Sequence, residues 1–275
     1  MATRILIGAL LCALVAGIFL LDRDVLERPL LTRTVLLVIA LGVVQELVAM
    51  AGRKLDTGPG LFLTGGVALT VIYVPHVLGG VGVPLHMIVV AALLATSMRL
   101  LAMAPLKTAA GAFPESALIG GAILYAGGLL AFLDQIAVNV SLESVYTVVV
   151  ISKLCDVFGY FGGTLLGRKK IVPAISPNKT WTGTILGILA SGAAGYLLVG
   201  PLGGPNLDMP QTLGGVIGLL LGAATFLGDL IASSFKRWAG VKDSASLIKE
   251  FGGFLDLVDG VLFAAPVAYI VLLGT

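Results

Sequence analysis

Charged residues are scarce in this chain, and their scarcity excludes most classes of soluble protein. Only 12% of the 275 residues are Asp, Glu, Lys or Arg, whereas 58% are hydrophobic. A soluble domain carries roughly 25% charged and about 45–50% apolar residues. The formal net charge of +2 is also too small to indicate a nucleic-acid partner. The composition therefore indicates an integral membrane protein.

Cysteine is nearly absent too, which excludes a disulfide framework. The two cysteines, Cys12 and Cys155, both lie in apolar runs. The first of these runs, residues 5–21, is apolar enough for a signal peptide, but the Leu21-Asp-Arg-Asp24 stretch follows it without a small-residue cleavage site. We therefore expect a first membrane span that is retained.

Long hydrophobic runs are what the chain has in abundance. A membrane-crossing helix needs about 20 mostly apolar residues. The sequence predicts about nine such spans, near residues 5–21, 34–51, 61–81, 86–104, 115–134, 142–167, 181–199, 211–232 and 254–274. Backbone groups in hydrocarbon must be paired within their own segment, so helices rather than open strands are expected. The predicted fold class is all-α, a polytopic membrane protein.

Lysine and arginine are missing from alternate loops, near residues 82–85, 135–141 and 200–210. The other loops contain Arg53, Lys54, Lys107, Arg168, Lys169, Lys170, Lys179, Lys236, Arg237, Lys242 and Lys249. The positive-inside rule predicts that these basic loops and the N-terminus are cytoplasmic. The first connection contradicts this scheme, because it holds Arg23, Arg28 and Arg33. It is either an interfacial segment or the sign of a miscounted span.

Four aspartates fall within or at the edge of the predicted spans: Asp156, Asp229, Asp256 and Asp259. Each costs about 2.5–3.5 kcal/mol at a span centre, or roughly 10 kcal/mol together. That sum is comparable with the whole stability of a typical protein, about 5–15 kcal/mol. The aspartates must therefore be near water, paired or neutralised by cations. They either cap helix ends beside lysines or form a functional site, and their organised spacing favours the site.

The spacing places carboxylates and glycines together. Asp256 and Asp259 are three residues apart, so they share a helix face. The glycines Gly252 and Gly253 precede them, where a bare backbone approaches a ligand closely and helix-start amides favour anions. Neighbouring carboxylates repel each other, and a divalent ion relieves that repulsion. Oxygen ligands suit Mg²⁺.

Two spans contain further charged side chains. Lys153, Asp156 and Tyr160 share a helix face, where they form either part of a polar site or an ion pair with a packed aromatic. Glu46, beside Gln45 in the second span, either lines a cavity or caps a neighbouring helix. The sequence leaves both alternatives open.

A third polar cluster is the Ser176-Pro-Asn-Lys-Thr180 stretch. Ser176 is a suitable helix N-cap and Pro177 suits a first helical turn. The free amides of such a turn, with Lys179 and Thr180 nearby, predict an anion site. The alternative is a capped helix flanked by lysines that only set topology.

A long polar signature runs through the last third of the chain. It reads Ser233-Ser-Phe-Lys-Arg237, then Lys242-Asp-Ser-Ala245, then Gly252-Gly-Phe-Leu-Asp-Leu-Val-Asp259. Together with Gly228-Asp-Leu230, Ser176-Pro-Asn-Lys-Thr-Trp181, and Asp156 with Tyr160 and Gly167-Arg168, it resembles the phosphatidate cytidylyltransferase (CDP-diacylglycerol synthase) family over roughly residues 150–270. Phe251 stands where the family usually has a histidine, and Leu257 where it usually has an arginine.

The resemblance implies an enzyme that makes CDP-diacylglycerol and pyrophosphate from CTP and phosphatidic acid in phospholipid biosynthesis. It implies Mg²⁺ on Asp229, Asp256 and Asp259, with a second metal or a monovalent cation as an open alternative. The other expected catalytic residues are Lys236, Arg237, Lys242 and Asp243. The expected substrate-binding residues are Asp156, Tyr160, Ser176, Asn178, Lys179, Thr180, Ser233, Gly252 and Gly253.

We also expect the chain to have two parts with different roles. Residues 1–140 would form an N-terminal part of about five spans, and residues 141–275 a catalytic part with cytoplasmic polar loops. The expected partners are CTP, phosphatidic acid and the bilayer of a prokaryotic inner membrane, with no nucleic acid. Glycine-rich helices allow a homodimer.

Three competing interpretations remain at this point. The first is CTP-dependent transfer to another lipid, such as an ether lipid phosphate or a polyprenol. The second is an ion-coupled transporter, which would predict broken helices and an inverted repeat, although no repeat is visible. The third is an inactive relative of the enzyme family.

Overall fold

The computed structural model describes residues 2–26, 28–55, 60–103, 108–198, 209–245 and 252–273. Within these ranges the chain is almost entirely helical. The α-helices are α1 (Ala2–Leu21), α2 (Leu30–Ala51), α3 (Leu61–Gly79), α4 (Leu85–Met103), α5 (Ala109–Ala122), α6 (Leu129–Asn139), α7 (Leu142–Leu165), α8 (Trp181–Leu198), α9 (Gln211–Trp238) and α10 (Phe254–Leu273). A π-helical stretch, Asp22–Leu26, follows α1, and another, Ile123–Gly128, joins α5 to α6.

The predicted fold class is confirmed. Among the described residues, eight helical stretches are long and apolar enough to cross a membrane, with α5 and α6 acting as one stretch, Gly111–Asn139. The 20-residue α1 precedes them, in agreement with the prediction of about nine spans. The described ranges contain no strand; one isolated antiparallel bridge joins Lys170 to Thr180.

Helix α9 runs further than its apolar residues predicted. The hydrophobic run ends near residue 232, but the helix continues through the polar residues to Trp238. No helix-breaking residue interrupts this stretch, and Gly240 then adopts a left-handed φ of 73°, the conformation that commonly follows a helix end. The extra turns carry Ser233 and Lys236 on a rigid element.

Glycines bring α7, α8 and α9 into close contact. A Cβ atom added to Gly183 of α8 would lie 2.5 Å from the carbonyl oxygen of Gly159 and 2.9 Å from the Cα of Gly163, both on α7. A Cβ on Gly218 of α9 would strike the backbone carbonyl of Ser191 on α8. Small residues at such crossings let helices pack in lipid, where no hydrophobic force drives them together.

Helix α10 lies in the centre of the protein and joins its two halves. It packs against α9, α7, α6 and α2. Its residues Leu262, Ala264, Ala265 and Ala268 are almost fully buried. The N-terminal spans therefore share a hydrophobic core with the helix that carries Asp256.

A buried ion pair locks the edge of the bundle at which α2 begins. Arg33 Nε donates to Asp134 Oδ1 at 2.6 Å, and the side chains are only 2% and 0% exposed. Asp134 Oδ2 also accepts from the Val83 amide at 2.7 Å, and Arg33 Nη2 donates to the Val81 carbonyl. The loop between α3 and α4 is thereby tied to α2 and α6.

Ion pairs at the same edge involve two of the three arginines that contradicted the orientation scheme. Arg33 is an internal ion-pair partner rather than a free loop charge. Arg23 pairs with Asp24 on the surface at 2.6 Å. Of the loops that lack lysine and arginine, those at residues 82–85 and 135–141 lie at this edge, whereas α2 ends and α10 begins at the opposite one. We call that opposite edge, where α7 and α9 end and α8 and α10 begin, the basic edge.

Candidate active site

A cavity of about 790 Å³ opens at the basic edge between α7, α8, α9 and α10. Its lining residues are Cys155, Asp156, Gly159, Tyr160, Gly163, Thr164, Gly167, Lys170, Ser176, Asn178, Lys179, Thr180, Gly183, Thr184, Gly187, Phe226, Asp229, Asp256 and Asp259. The glycine-rich wall follows from the close crossing of α7 and α8. All four aspartates singled out in the sequence therefore face one space.

Asp229 lies on α9 between a lysine and a hydroxyl group. Lys179 Nζ lies 2.6 Å from Asp229 Oδ2, and Ser233 Oγ, one helical turn further on, donates to Oδ1 at 3.3 Å. The ammonium also lies 4.7 Å from the centre of the Phe226 ring. Its contact with Asp229 is an ion pair without the alignment of a hydrogen bond. An ammonium has three N–H groups, so Lys179 can donate to an acceptor in the cavity while it remains next to Asp229.

Asp256 lies in the first turn of α10 and accepts from several donors. Lys236 Nζ of α9 donates to Oδ1. The Ser244 amide, the Ser244 hydroxyl and the Gly253 amide reach Oδ2 at 2.8, 2.7 and 3.0 Å. Gly252 has a left-handed φ of 84°, and a Cβ atom there would strike the Asp256 carboxylate. The glycine pair thus lets this carboxylate fold back over the helix start.

Asp259 lies one turn further into α10 and is more deeply placed. It is 7% exposed and still lines the cavity. Its Oδ1 accepts from the Gly260 amide at 2.7 Å. Its backbone carbonyl lies so close to Gly228 that no Cβ atom would fit there. The shared face predicted for Asp256 and Asp259 is confirmed, because both face the same cavity.

Asp156 pairs with Lys153 as the ion-pair interpretation predicted. Lys153 Nζ donates to Asp156 Oδ2 at 3.0 Å, and the side chains are 42% and 34% exposed. Asp156 nevertheless lines the cavity, as does Tyr160, which is 68% exposed. The ion pair and the polar site are therefore compatible. The Tyr160 ring lies edge-on to Phe161, with 5.7 Å between the ring centroids, and it also lines the cavity.

The connection from α7 to α8 forms a short hairpin over the cavity. Ile171 N donates to the Lys179 carbonyl and Trp181 N donates to the Lys169 carbonyl, each at 3.1 Å. The residues that it places on the cavity lining are Lys170, Ser176, Asn178, Lys179 and Thr180.

The expectation that Ser176 is a helix N-cap is wrong. Helix α8 begins at Trp181, and Thr180 Oγ1 accepts from the Gly183 amide at 3.2 Å. Ser176 precedes Pro177, which disfavours helical backbone at that position. The segment turns instead, with Ser176 N donating to the Val172 carbonyl.

Several predicted site residues lie outside the cavity lining. They are Ser233, Lys236, Arg237, Lys242, Asp243, Gly252 and Gly253. Arg237 donates to the Ile175 carbonyl at 3.2 Å and to the Val241 carbonyl at 3.0 Å, so it holds the hairpin against the end of α9. Lys242 and Asp243 are exposed on the surface. Phe251 and Lys249 lie outside the described residues.

Two residues around Asp256 were not predicted as site residues from the sequence, Ser244 and Glu46. Ser244 belongs to the polar signature, but its contacts with both Asp256 and Glu46 require the folded chain. Glu46, which had two alternative roles, accepts from the Phe254 and Leu255 amides at 2.6 and 2.9 Å. Glu46 therefore caps α10 and does not line the cavity.

The donors that face the cavity suit a hard cation. Mg²⁺ takes one or two carboxylates and completes its shell with water and phosphate oxygens. Asp229, Asp256 and Asp259 offer such oxygens. Within the described ranges, no three His, Cys, Asp or Glu side chains are grouped closely enough to hold an ion by themselves. The residues thus fit a cation whose ligands come partly from the protein and partly from a phosphate. Without a cation, Lys179 neutralises Asp229 and Lys236 neutralises Asp256.

The fold and the cavity define an integral membrane protein with a polar site suited to phosphate groups. The chain belongs to the cytidylyltransferase family, which matches residues 2–274. This membership argues against the transporter interpretation.

Individual relatives match over a shorter part of the chain. The phosphatidate cytidylyltransferase of Chlamydia muridarum (strain MoPn / Nigg) is 40% identical over 127 residues, which are 45% of this chain and 41% of the relative. That of Synechocystis sp. is 44% identical over 116 residues, 42% of this chain and 38% of the relative. That of Brucella abortus (strain 2308) is 41% identical over 116 residues, 42% of this chain and 41% of the relative. The matches span about two fifths of the length of these relatives.

Proposed function

We propose that this protein is a phosphatidate cytidylyltransferase, which converts CTP and phosphatidic acid to CDP-diacylglycerol and pyrophosphate. One observation carries the proposal. Aspartates from α7, α9 and α10 and lysines from the connection between α7 and α8 face a single cavity at the basic edge, in a chain of the cytidylyltransferase family. Its relatives include proteins named phosphatidate cytidylyltransferase.

The reaction joins two anions, and the cavity supplies charges that offset their repulsion. An oxygen of the lipid phosphate attacks the α-phosphorus of CTP and forms a new P–O bond. The bond from the α-phosphorus to the bridging oxygen breaks, and pyrophosphate leaves with that electron pair. The protein forms no covalent bond, so positioning and electrostatic stabilisation account for catalysis.

Each basic residue has a role consistent with its position. Lys179 and Lys170 line the cavity from the hairpin side and would contact phosphate oxygens. The amides near Ser176 and Asn178 lie on the same side. Lys236, at the α9 side, would move from Asp256 to the triphosphate when a nucleotide enters. Arg237 would act indirectly, because its guanidinium holds the hairpin.

Asp229 and Asp256 are the residues that would hold a divalent cation, with Asp259 as a third or outer ligand. A bound Mg²⁺ would neutralise charge on the nucleotide and on the leaving pyrophosphate. A second metal ion or a monovalent cation beside the Mg²⁺ is an alternative within the same proposal. Asp156 and Tyr160 would complete the polar floor toward the lipid.

The position of the cavity supports lipid entry from the side. Tyr160, which lines the cavity, and Trp181, at the start of α8, are 68% and 51% exposed, and such aromatic side chains are enriched where a membrane protein meets lipid headgroups. Acyl chains would stay in the bilayer while the headgroup enters between α7 and α8. We place the basic edge on the cytoplasmic face of a bacterial inner membrane, where CTP is available, and regard a homodimer as compatible with the glycine-rich helices.

The test is turnover by purified protein in lipid nanodiscs with α-labelled CTP. The proposal predicts CDP-diacylglycerol formation that requires both phosphatidic acid and Mg²⁺ and stops on chelation. Asp229→Asn should lose this activity, whereas Asp24→Asn, on the surface of the opposite edge, should retain it. If the protein forms product with an ether lipid phosphate or a polyprenol phosphate but not with phosphatidic acid, the proposed acceptor is wrong. No turnover with any acceptor would indicate an inactive relative.

A further inference from the structure

We propose that Glu46 is a positioning residue for Asp256, through which the N-terminal spans set the geometry of the active site. The inference rests on the proposed function and goes beyond it, because it assigns a role to a residue outside the polar signature. Glu46 lies on α2, is 6% exposed and is 208 residues from the helix that it caps.

Both carboxylate oxygens of Glu46 bind the start of α10. Oε1 accepts from the Phe254 amide at 2.6 Å, and Oε2 accepts from the Leu255 amide at 2.9 Å. The first amides of a helix have no partner within the helix, so a buried helix start needs acceptors from elsewhere. A carboxylate at this end is also favoured by the helix dipole. Glu46 therefore fixes where α10 begins.

Ser244 connects this cap to Asp256. Its hydroxyl oxygen lies 2.7 Å from Glu46 Oε2 and 2.7 Å from Asp256 Oδ2. Its backbone amide donates to the same Asp256 oxygen at 2.8 Å. A displacement of Glu46 would therefore move both the helix that carries Asp256 and the serine that orients its carboxylate.

The glycine before α10 shows how tightly this junction is packed. A Cβ atom on Gly253 would strike Glu46 Oε1 and the Ser244 hydroxyl. The Gly253 amide donates to Asp256 at 3.0 Å. The absence of a side chain at Gly253 thus leaves room for the Glu46 cap and for the Ser244 hydroxyl.

Both oxygens of Glu46 are used by these donors, and Glu46 differs from Asp229 and Asp256 in its position relative to the cavity. Oε1 serves one amide, and Oε2 serves one amide and lies against one hydroxyl. Glu46 does not line the cavity. Its effect on the reaction must therefore pass through α10 and Ser244.

The first measurement is hydrogen exchange of the α10 start in the wild type, Glu46→Ala and Glu46→Gln. We expect the Phe254 and Leu255 amides to exchange about tenfold faster in Glu46→Ala, with α8 amides unchanged. Glu46→Gln should restore only part of the protection, because its single amide oxygen can replace one of the two carboxylate oxygens that accept from Phe254 and Leu255. This readout needs no turnover, so it judges the cap even if the proposed reaction fails. Unchanged exchange in Glu46→Ala would overturn the inference.

The second measurement separates a positioning role from a general loss of stability. Loss of a group that orients a ligand typically costs about 10- to 100-fold in metal affinity or activity. We expect Glu46→Ala to lower kcat and raise the Mg²⁺ concentration needed for half-maximal activity, with little change in KM for phosphatidic acid. Glu46→Gln should recover part of the activity, because it keeps one of the two acceptors at the start of α10.

The matched control removes a helix cap at the opposite edge. Ser141 accepts from the Ser144 amide at 3.1 Å at the start of α7. Ser141→Ala should lower thermal stability slightly and leave the Mg²⁺ dependence unchanged. If Glu46→Ala and Ser141→Ala shift only stability and to the same extent, the positioning role is wrong. If Glu46→Gln is as inactive as Glu46→Ala while the α10 amides stay protected, Glu46 acts directly on a ligand and the inference is also wrong.

Discussion

Lys179 Nζ lies 2.6 Å from Asp229 Oδ2, so a residue expected to hold phosphate neutralises a residue expected to hold a cation. The two side chains are 16% and 30% exposed. In a cavity of this depth, an unpaired aspartate or lysine would be costly. The ion pair therefore stabilises both charges in the cavity before a ligand binds. Ligand binding would replace it with two interactions, one between Lys179 and phosphate and one between Asp229 and a cation.

Lys179→Met tests this exchange. Without the competing ammonium, Asp229 should bind Mn²⁺ more tightly in the absence of nucleotide, as measured by electron paramagnetic resonance. With nucleotide present, kcat/KM for CTP should fall by about 10²-fold or more, since one charge-stabilising donor is gone.

The control for this prediction is Lys169→Met, which removes a charge from the same hairpin but not from the cavity lining. It should leave Mn²⁺ affinity and kcat/KM close to wild type. Weaker Mn²⁺ binding by Lys179→Met would contradict the competition between ammonium and cation.

Asp229→Asn and Asp256→Asn should each lower CTP turnover by at least about 10²-fold, while membrane insertion and helix content stay normal. The reason is that an amide keeps the shape of the carboxylate but loses its charge and half its acceptor oxygens. Turnover and circular dichroism in the same nanodisc preparation check both statements. Full turnover by both variants would mean that these carboxylates hold no essential cation.

Much of the site could be predicted from the sequence because its signals are local. The shared face of Asp256 and Asp259 follows from helical periodicity, and both residues reach the cavity. Asp156 and Asp229 could be predicted because a charged side chain in hydrocarbon is costly, and both residues also line the cavity. The glycine pair before α10 indicated a tight backbone, and the left-handed φ of Gly252 confirms it.

The rest could not be predicted, because it depends on residues far apart in the chain. The pairing of Arg33 with Asp134 spans 101 positions, and the orientation rule had no means of recognising Arg33 as internal. The cap that Glu46 places on α10 is equally remote in sequence. The sequence predicted a helix start at Ser176, but the chain turns there and α8 begins at Trp181. Serine followed by proline suits a turn as well as a helix start.

The close crossing of α8 and α9 gives a stability prediction that does not involve the site. Gly218→Ala would place a Cβ atom 2.9 Å from the Ser191 carbonyl carbon and 3.0 Å from the Gly192 Cα. Backbone cannot yield as a flexible side chain does, so unfolding free energy should fall by about 1–3 kcal/mol. Thermal unfolding measures this. Gly121→Ala on α5, where no atom lies within 4 Å of the added Cβ, should not be destabilised, and equal losses in both variants would contradict the packing argument.

The ion pair between Arg33 and Asp134 gives the last prediction, on the role of the edge opposite the cavity. Asp134→Asn would leave a 2% exposed guanidinium without its counter-charge, and removing one partner of a buried pair typically costs about 3–5 kcal/mol. We expect a large fall in the unfolding midpoint but normal CTP turnover per folded molecule, because Asp134 contacts neither the cavity nor α10's first turn. Asp24→Asn, in an exposed pair with Arg23, should leave the midpoint unchanged. If the Asp134→Asn variant has wild-type stability, other contacts must hold the loop between α3 and α4.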